Sequence, residues 1–167
     1  FATRVTSAAN ERVLDLFPVG DALYFLVAAD RLSLWSAVDG GPASRVAELG
    51  TLAADPDDER RRGFLPVDGG FYFFAETLEH GAELWFTDGT QGGTRVADVV
   101  PGPIGSEARE MAAVGGLVFF SAEDRIFGRE LWAVPVGGTE ATRVTDIGPG
   151  PVGSVSEHLT AAGSSLY

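Results

Sequence analysis

The sequence predicts an all-β fold, a β-propeller or partial β-propeller built from four-stranded blades of about 48 residues. Three observations predict it: a tryptophan string that recurs, other strings that recur around it in fixed order, and strands that are apolar on both faces. The tryptophans are Trp35, Trp85 and Trp132, spaced 50 and 47 residues apart, in LSLWSA, ELWFTD and ELWAVP. A Thr/Ser-Arg-Val string stands at residues 3–5, 44–46, 94–96 and 142–144. Aromatic strings precede each tryptophan: ALYFLVA, FYFFAE and LVFFSAE. A Pro/Gly loop closes two units, VPGPIGS at 100–106 and GPGPVGS at 148–154.

Each unit reads as four short strands. The first gives 12–19, 22–28, 32–37 and 44–49. In the second, residues 64–67 (FLPV) follow a polar loop, and 71–76 (FYFFAE) follow Gly69-Gly70, an aromatic run of high strand preference. Residues 83–87 (ELWFT) come after a turn at Gly81. Asp88-Gly89 is expected to make a two-residue hairpin turn, since both tolerate positive φ, and 94–99 (TRVADV) complete the unit. The third repeats the order at 111–114, 117–122, 130–134 and 141–147. No stretch of ten residues sustains a helical period. In FYFFAE, successive side chains point to opposite faces and nearly all are apolar, so the strand must be covered on both sides. Stacked sheets do this and one exposed sheet cannot. A β-sandwich is the alternative, but it would not require such self-similarity.

The expected organisation is residues 1–10 as the end of a preceding blade, 11–50 a blade, 51–63 a loop insertion, 64–106 and 107–154 two further blades, and 155–167 the start of another. Three full units with two partial ones lead us to expect a segment of a larger propeller, completed by other residues or by a second chain.

Composition narrows the function. The 167 residues carry 24 acids and 12 bases, a formal charge of -12. All twelve bases are arginine, a bias that suggests a GC-rich bacterial source. An acidic surface repels phosphate backbones and disfavours nucleic acid as a partner. No apolar run nears the roughly 20 residues that a membrane-spanning helix needs, so membrane insertion is not expected. There is no cysteine, which excludes disulfides, thiolate nucleophiles and cysteine-ligated zinc. The 22 glycines and 9 prolines imply many turns.

Residues 83–106, ELWFTDGTQGGTRVADVVPGPIGS, resemble the ELWxxDGT repeat of multi-copy secreted or cell-surface bacterial proteins. The motif falls on Glu83, Leu84, Trp85, Asp88, Gly89, Thr90, Gly93 and Thr94, followed by Asp98, Val99, Pro101 and Gly102. The third unit matches at Glu130, Leu131, Trp132, Gly138, Thr139, Thr142, Asp146, Ile147, Pro149 and Gly150 but lacks the aspartate of DGT. The first keeps Leu34, Trp35, Asp39 and Gly40 and loses the glutamate and threonines. The resemblance implies a propeller-like, extracellular, non-catalytic repeat protein and supplies no ligand.

Candidate sites are few. Asp88 is the most motif-like metal candidate, with calcium the cation it would suit; the competing reading is a turn in which aspartate bonds nearby amides. Glu76, Glu79, His80 and Glu83 surround the turn before Trp85, and a carboxylate–histidine set could hold a metal, against the plainer reading of a solvated acidic turn. The repeated tryptophan reads as inter-blade packing rather than a sugar platform. The repeated arginines, Arg4, Arg45, Arg95 and Arg143, sit near acids three residues on (Glu48, Asp98, Asp146). At strand spacing these face oppositely and are not expected to pair. Residues 50–63, GTLAADPDDERRRG, break the repeat, and Arg60, Arg61 and Arg62 are the candidate partner-binding residues. No cofactor and no catalytic residue is expected: there is no HExxH pair, no nucleophile elbow and no phosphate loop. The sequence thus leads to a secreted or cell-surface scaffold for adhesion, binding a protein or glycan or other copies of itself. The alternatives are a structural subunit of a surface filament or large extracellular complex, and a propeller enzyme with a central-channel site.

Overall fold

A computed structural model describes residues 11–53, 63–154 and 158–167. Every regular element in these residues is a strand. The first sheet contains β1 (Arg12–Val19), β2 (Ala22–Ala28), β3 (Arg31–Val38) and β4 (Ser44–Thr51). The second contains β5 (Phe64–Val67), β6 (Gly70–Thr77), β7 (Gly81–Thr87) and β8 (Arg95–Ala97). The third contains β9 (Arg109–Val114), β10 (Leu117–Asp124), β11 (Gly128–Pro135) and β12 (Thr142–Arg143). In each, the four strands are antiparallel neighbours in chain order. A hairpin of β13 (Ala161–Ala162) and β14 (Ser165–Leu166) follows. The described residues therefore form an all-β stack of repeated four-stranded sheets and do not close a ring.

Register shows how the sheets meet. Trp35 lies opposite Phe25, Trp85 opposite Phe73 and Trp132 opposite Phe120. Cross-strand partners share a face, so each tryptophan stands beside the aromatic of its own second strand. Phe73 and Trp85 join Phe71 and Ala75 in a core with Phe17, Leu26, Leu32, Leu34, Ala47 and Leu49 of the first sheet. The other face of the same two strands supplies Tyr72, Phe74, Leu84 and Phe86 to a core with Val118, Phe120, Ala122 and Val134 of the third. The second sheet is thus buried on both faces, as its apolar strands require. Stacking has a direction: the tryptophan of one sheet faces the sheet before it, and the leucine of the same string (Leu34, Leu84) faces the sheet after it.

A second contact repeats along the stack. The Tyr72 hydroxyl donates to the carbonyls of Pro135 (2.9 Å) and Gly138 (2.7 Å) in the β11–β12 turn of the next sheet. Burial makes this hydroxyl a weaker acid, pushing it up from 10 to about 12 against the opposing pull of the Gly137 and Gly138 backbone and of Arg95. Tyr24 holds the same place one sheet earlier. A Cβ on Gly89, at φ +88°, would stand 2.9 Å from the Tyr24 hydroxyl, so the glycine of DGT makes room for the preceding sheet's tyrosine.

Two expectations are corrected. Asp88-Gly89 does not form a two-residue turn, because β7 ends at Thr87 and β8 begins at Arg95. The connection is a longer loop, organised by the Asp88 carboxylate, which accepts from the Thr90 amide (2.9 Å) and hydroxyl (2.7 Å). The two-residue Asp-Gly turn is instead Asp68-Gly69, which joins paired Val67 and Gly70 with Gly69 at φ 82°. Asp39-Gly40, at φ 51° and 70°, turns within the longer β3–β4 connection, with the Gly41 amide on the Val38 carbonyl at 2.8 Å. The second correction concerns arginine and the acid three residues on. Arg45 meets Glu48 at 3.4 Å and Arg143 meets Asp146 at 3.6 Å. In β4, Trp35 pairs with Arg45 and Leu34 with Ala47, so Val46 is a bulge. The bulge shifts the alternation by one and returns Arg45 and Glu48 to one face. In the third sheet, Asp146 lies beyond the end of β12, where alternation no longer applies.

Phe73 has no exposed surface, whereas Ile126 is 71% exposed. Phe73→Ala should cost about 3–5 kcal/mol and Ile126→Ala no more than about 0.5 kcal/mol, read from urea unfolding midpoints.

Candidate functional site

The repeated glutamate organises the most built cluster in the molecule. Glu83 and Glu130 open the two ELW strings and neither has exposed surface. That corrects the reading of this turn as a solvated acidic one: Glu83 is inside it. Buried carboxylates need donors, and the Pro/Gly loops supply them. Glu83 Oε1 accepts the Val100 amide at 3.1 Å, and Oε2 accepts the Ser106 hydroxyl at 2.5 Å. Glu130 Oε1 accepts the Gly148 amide at 3.0 Å; Oε2 accepts the Ile147 amide at 3.2 Å and the Ser154 hydroxyl at 2.7 Å. The same atoms recur in both units, so the glutamate and the serine ending each loop form one latch.

Backbone contacts complete it. The Ser106 amide donates to the Ala82 carbonyl (3.2 Å), and the Ser154 amide to the Arg129 carbonyl (2.6 Å). Gly105, at φ +63°, lies against the start of β7, where a Cβ would come within 2.8 Å of the His80 carbonyl. Only glycine allows that approach without displacing backbone. The Ser106 carbonyl then accepts the Glu123 amide of β10 at 2.7 Å. The latch therefore also ties the second sheet to the third.

The first sheet shows what happens without it. Ser33 replaces the glutamate, accepting the Trp35 indole N–H at 2.9 Å. No carboxylate draws the chain away, and β4 runs on to Thr51 while β8 stops at Ala97. Thr51 then gives its amide and hydroxyl to Glu79 of the second sheet, at 2.8 and 2.6 Å. With glutamate committed to the latch, the Trp85 and Trp132 indole nitrogens are buried without a hydrogen-bond partner among the described residues.

The two latches differ electrostatically. Burial works to raise the Glu130 carboxyl, but the Ser154 hydroxyl, the Gly148 and Ile147 amides and Arg143 outweigh it and hold the group below its ordinary value. Burial pushes Glu83 up to about 7, against Ser106 and the Val100 and Val99 amides, and neighbouring Asp98 adds to the rise. Arg143 stands over the Phe127 ring at 3.3 Å. In the second sheet His80 occupies the place of Phe127, its Nδ1 3.2 Å from Asp98 Oδ2 and its ring edge-on to Trp85.

The metal candidates are placed apart in role. Glu79 serves Thr51, whose hydroxyl holds its carboxyl below the usual range. His80 serves Asp98. Asp88 is held below its ordinary value first by the Thr90 hydroxyl, within its own loop. Glu76 lies opposite Ala82 on β6. Among the described residues, no group of three or more His, Asp or Glu is arranged to hold a metal ion. Arg60, Arg61 and Arg62 lie outside the described residues, and no described helix is long and apolar enough to cross a membrane. Sequence reasoning missed the glutamate–serine pairing. The signal was present: the glutamate and the Pro/Gly-Ser loop occur together in two units and are absent together from the first. No family model and no curated protein matches the chain.

Ser154→Ala removes a donor from buried Glu130 and should cost about 1–3 kcal/mol. Glu130 lies below its ordinary value of 4.5, so its contribution is present above that value and lost as pH falls through its folded one. The variant should lose part of the acid-side decline in melting temperature.

Proposed function

We propose that this chain is a stretch of a propeller-type repeat array of the ELWxxDGT kind, acting outside the bacterial cell as a non-catalytic scaffold that offers its loops to a protein or glycan partner. One observation supports this above others: the residues that the units share hold the sheets together. Trp85 packs in the first inter-sheet core, Glu83 and Glu130 hold loops, and Tyr72 anchors the next turn. A rigid stack leaves loop sequences free to vary. The enzyme reading is weaker, because Glu83, the carboxyl most raised, has no exposed surface to offer a substrate.

The structural-subunit reading draws on a different observation. Leu117 is 38% exposed and Phe119 and Leu131 are half-buried on the outer face of the third sheet, where their counterparts Tyr72 and Leu84 are fully covered. Light scattering over a concentration series separates the two: a constant mass supports the scaffold, and growth with concentration supports the subunit.

The partner test is retention of the chain on glycan and surface-protein arrays. Reversing Arg60, Arg61 and Arg62 to glutamate should lower retention with the melting temperature unchanged; equal retention removes that loop from the binding surface. Chelator should leave the melting temperature within about 1 °C, since an ion bound only by the folded state would raise it. A larger fall would bring calcium back.

A further inference from the structure

We propose that the joint between the second and third sheets is a proton-sensitive latch: Glu83 holds residues 99–106 against β7 most firmly when neutral and loosens them when it ionises. The inference starts from the absence of a compensating cation. Glu83 is fully enclosed and is met by the Val100 amide at 3.1 Å and the Ser106 hydroxyl at 2.5 Å, with the Val99 amide also bearing on it; it makes no ion pair among the described residues. Enclosing an unpaired carboxylate is unfavourable unless it takes a proton. The third sheet meets the same problem with the Ser154 hydroxyl and the Gly148 and Ile147 amides on Glu130, to which Arg143, beside Asp146 at 3.6 Å, adds a cation. In the second, Arg95 has turned away. Its Nη2 donates to the Gly137 carbonyl at 2.9 Å and its guanidinium stands over Phe86.

The other charged groups at this joint do not replace that arginine. Asp98 is a second acid, with one oxygen buried and without a hydrogen-bond partner among the described residues and the other on His80. From the third sheet come Glu107 and Glu123. Arg129 is directed to Glu123 (3.7 Å), the Glu107 carbonyl and the Ser121 hydroxyl. The Ser106 hydroxyl suits both states of Glu83, accepting from a neutral carboxyl or donating to an ionised one; charge, not pairing, distinguishes them. Burial accordingly raises the group from 4.5 to about 7. A raised folded value means the contribution is full below 4.5 and lost as pH rises through 7. The effect reaches the next sheet because the Ser106 carbonyl holds the Glu123 amide and Ala108 sits in the second inter-sheet core.

Hydrogen exchange read by mass spectrometry on the intact chain, corrected for intrinsic rates, tests it. Between pH 5.5 and 8.5, protection of segments 99–108 and 120–124 should fall about tenfold or more, with 22–28 unchanged. Glu83→Gln, which keeps the shape and cannot ionise, should abolish the fall. Constant protection in the parent chain, or the same fall in Glu83→Gln, overturns the proposal. If Glu83→Gln does not fold, carbon NMR titration of the parent decides: a Glu83 midpoint near neutrality supports the latch, and one below 5 overturns it.

Discussion

The structure depends on one constraint: the middle sheet is apolar on both faces and can hide neither by itself. Phe71, Phe73 and Trp85 need the first sheet, and Tyr72, Leu84 and Phe86 need the third. Burying a side chain of this size is favourable by about 1.5–3 kcal/mol. A lone four-stranded sheet would forfeit that on at least one side. Stacking is therefore a condition of folding, and the direction of stacking follows from alternation: adjacent leucine and tryptophan in one string must face opposite neighbours.

Stacked sheets must also be joined by a chain that turns back between them. The ELW glutamate answers that need. A loop such as VPGPIGS leaves the ladder with amides and carbonyls unpaired, and proline removes donors that might have closed a turn. A buried carboxylate gathers the remaining donors, and glycines let the loop lie against the strand backbone. The arrangement has consequences. Among the described residues, two indole N–H groups are left without partners, and a carboxylate is enclosed with, or in the second sheet without, an arginine to offset it. The first sheet uses Ser33 and a longer β4, which shows that the latch is one solution and not a requirement of every joint.

The strands were legible because alternation, aromatic runs and glycine pairs are local signals. All eight strands of the first two units lie within three residues of their expected limits. The fourth strands of the second and third units were overestimated: TRVADV and ATRVTDI read as continuous strands, yet Val99 and Ile147 at their ends turn their amides to the latch glutamates. Arg45–Glu48 was missed because a bulge cannot be seen in a two-residue alternation. Glu83 was read as a solvated acid because charge is the only local cue, and its burial is decided by Ser106, 23 positions away. A ligand surface was not legible at all, since the shared residues describe how the sheets hold together and not what they hold.

The most direct measurement is on the middle unit alone. A peptide of residues 64–106 should show no cooperative thermal transition and no dispersed amide spectrum, while the full chain shows both. A cooperative, dispersed fold in the isolated unit would contradict the claim that these sheets exist only by covering one another.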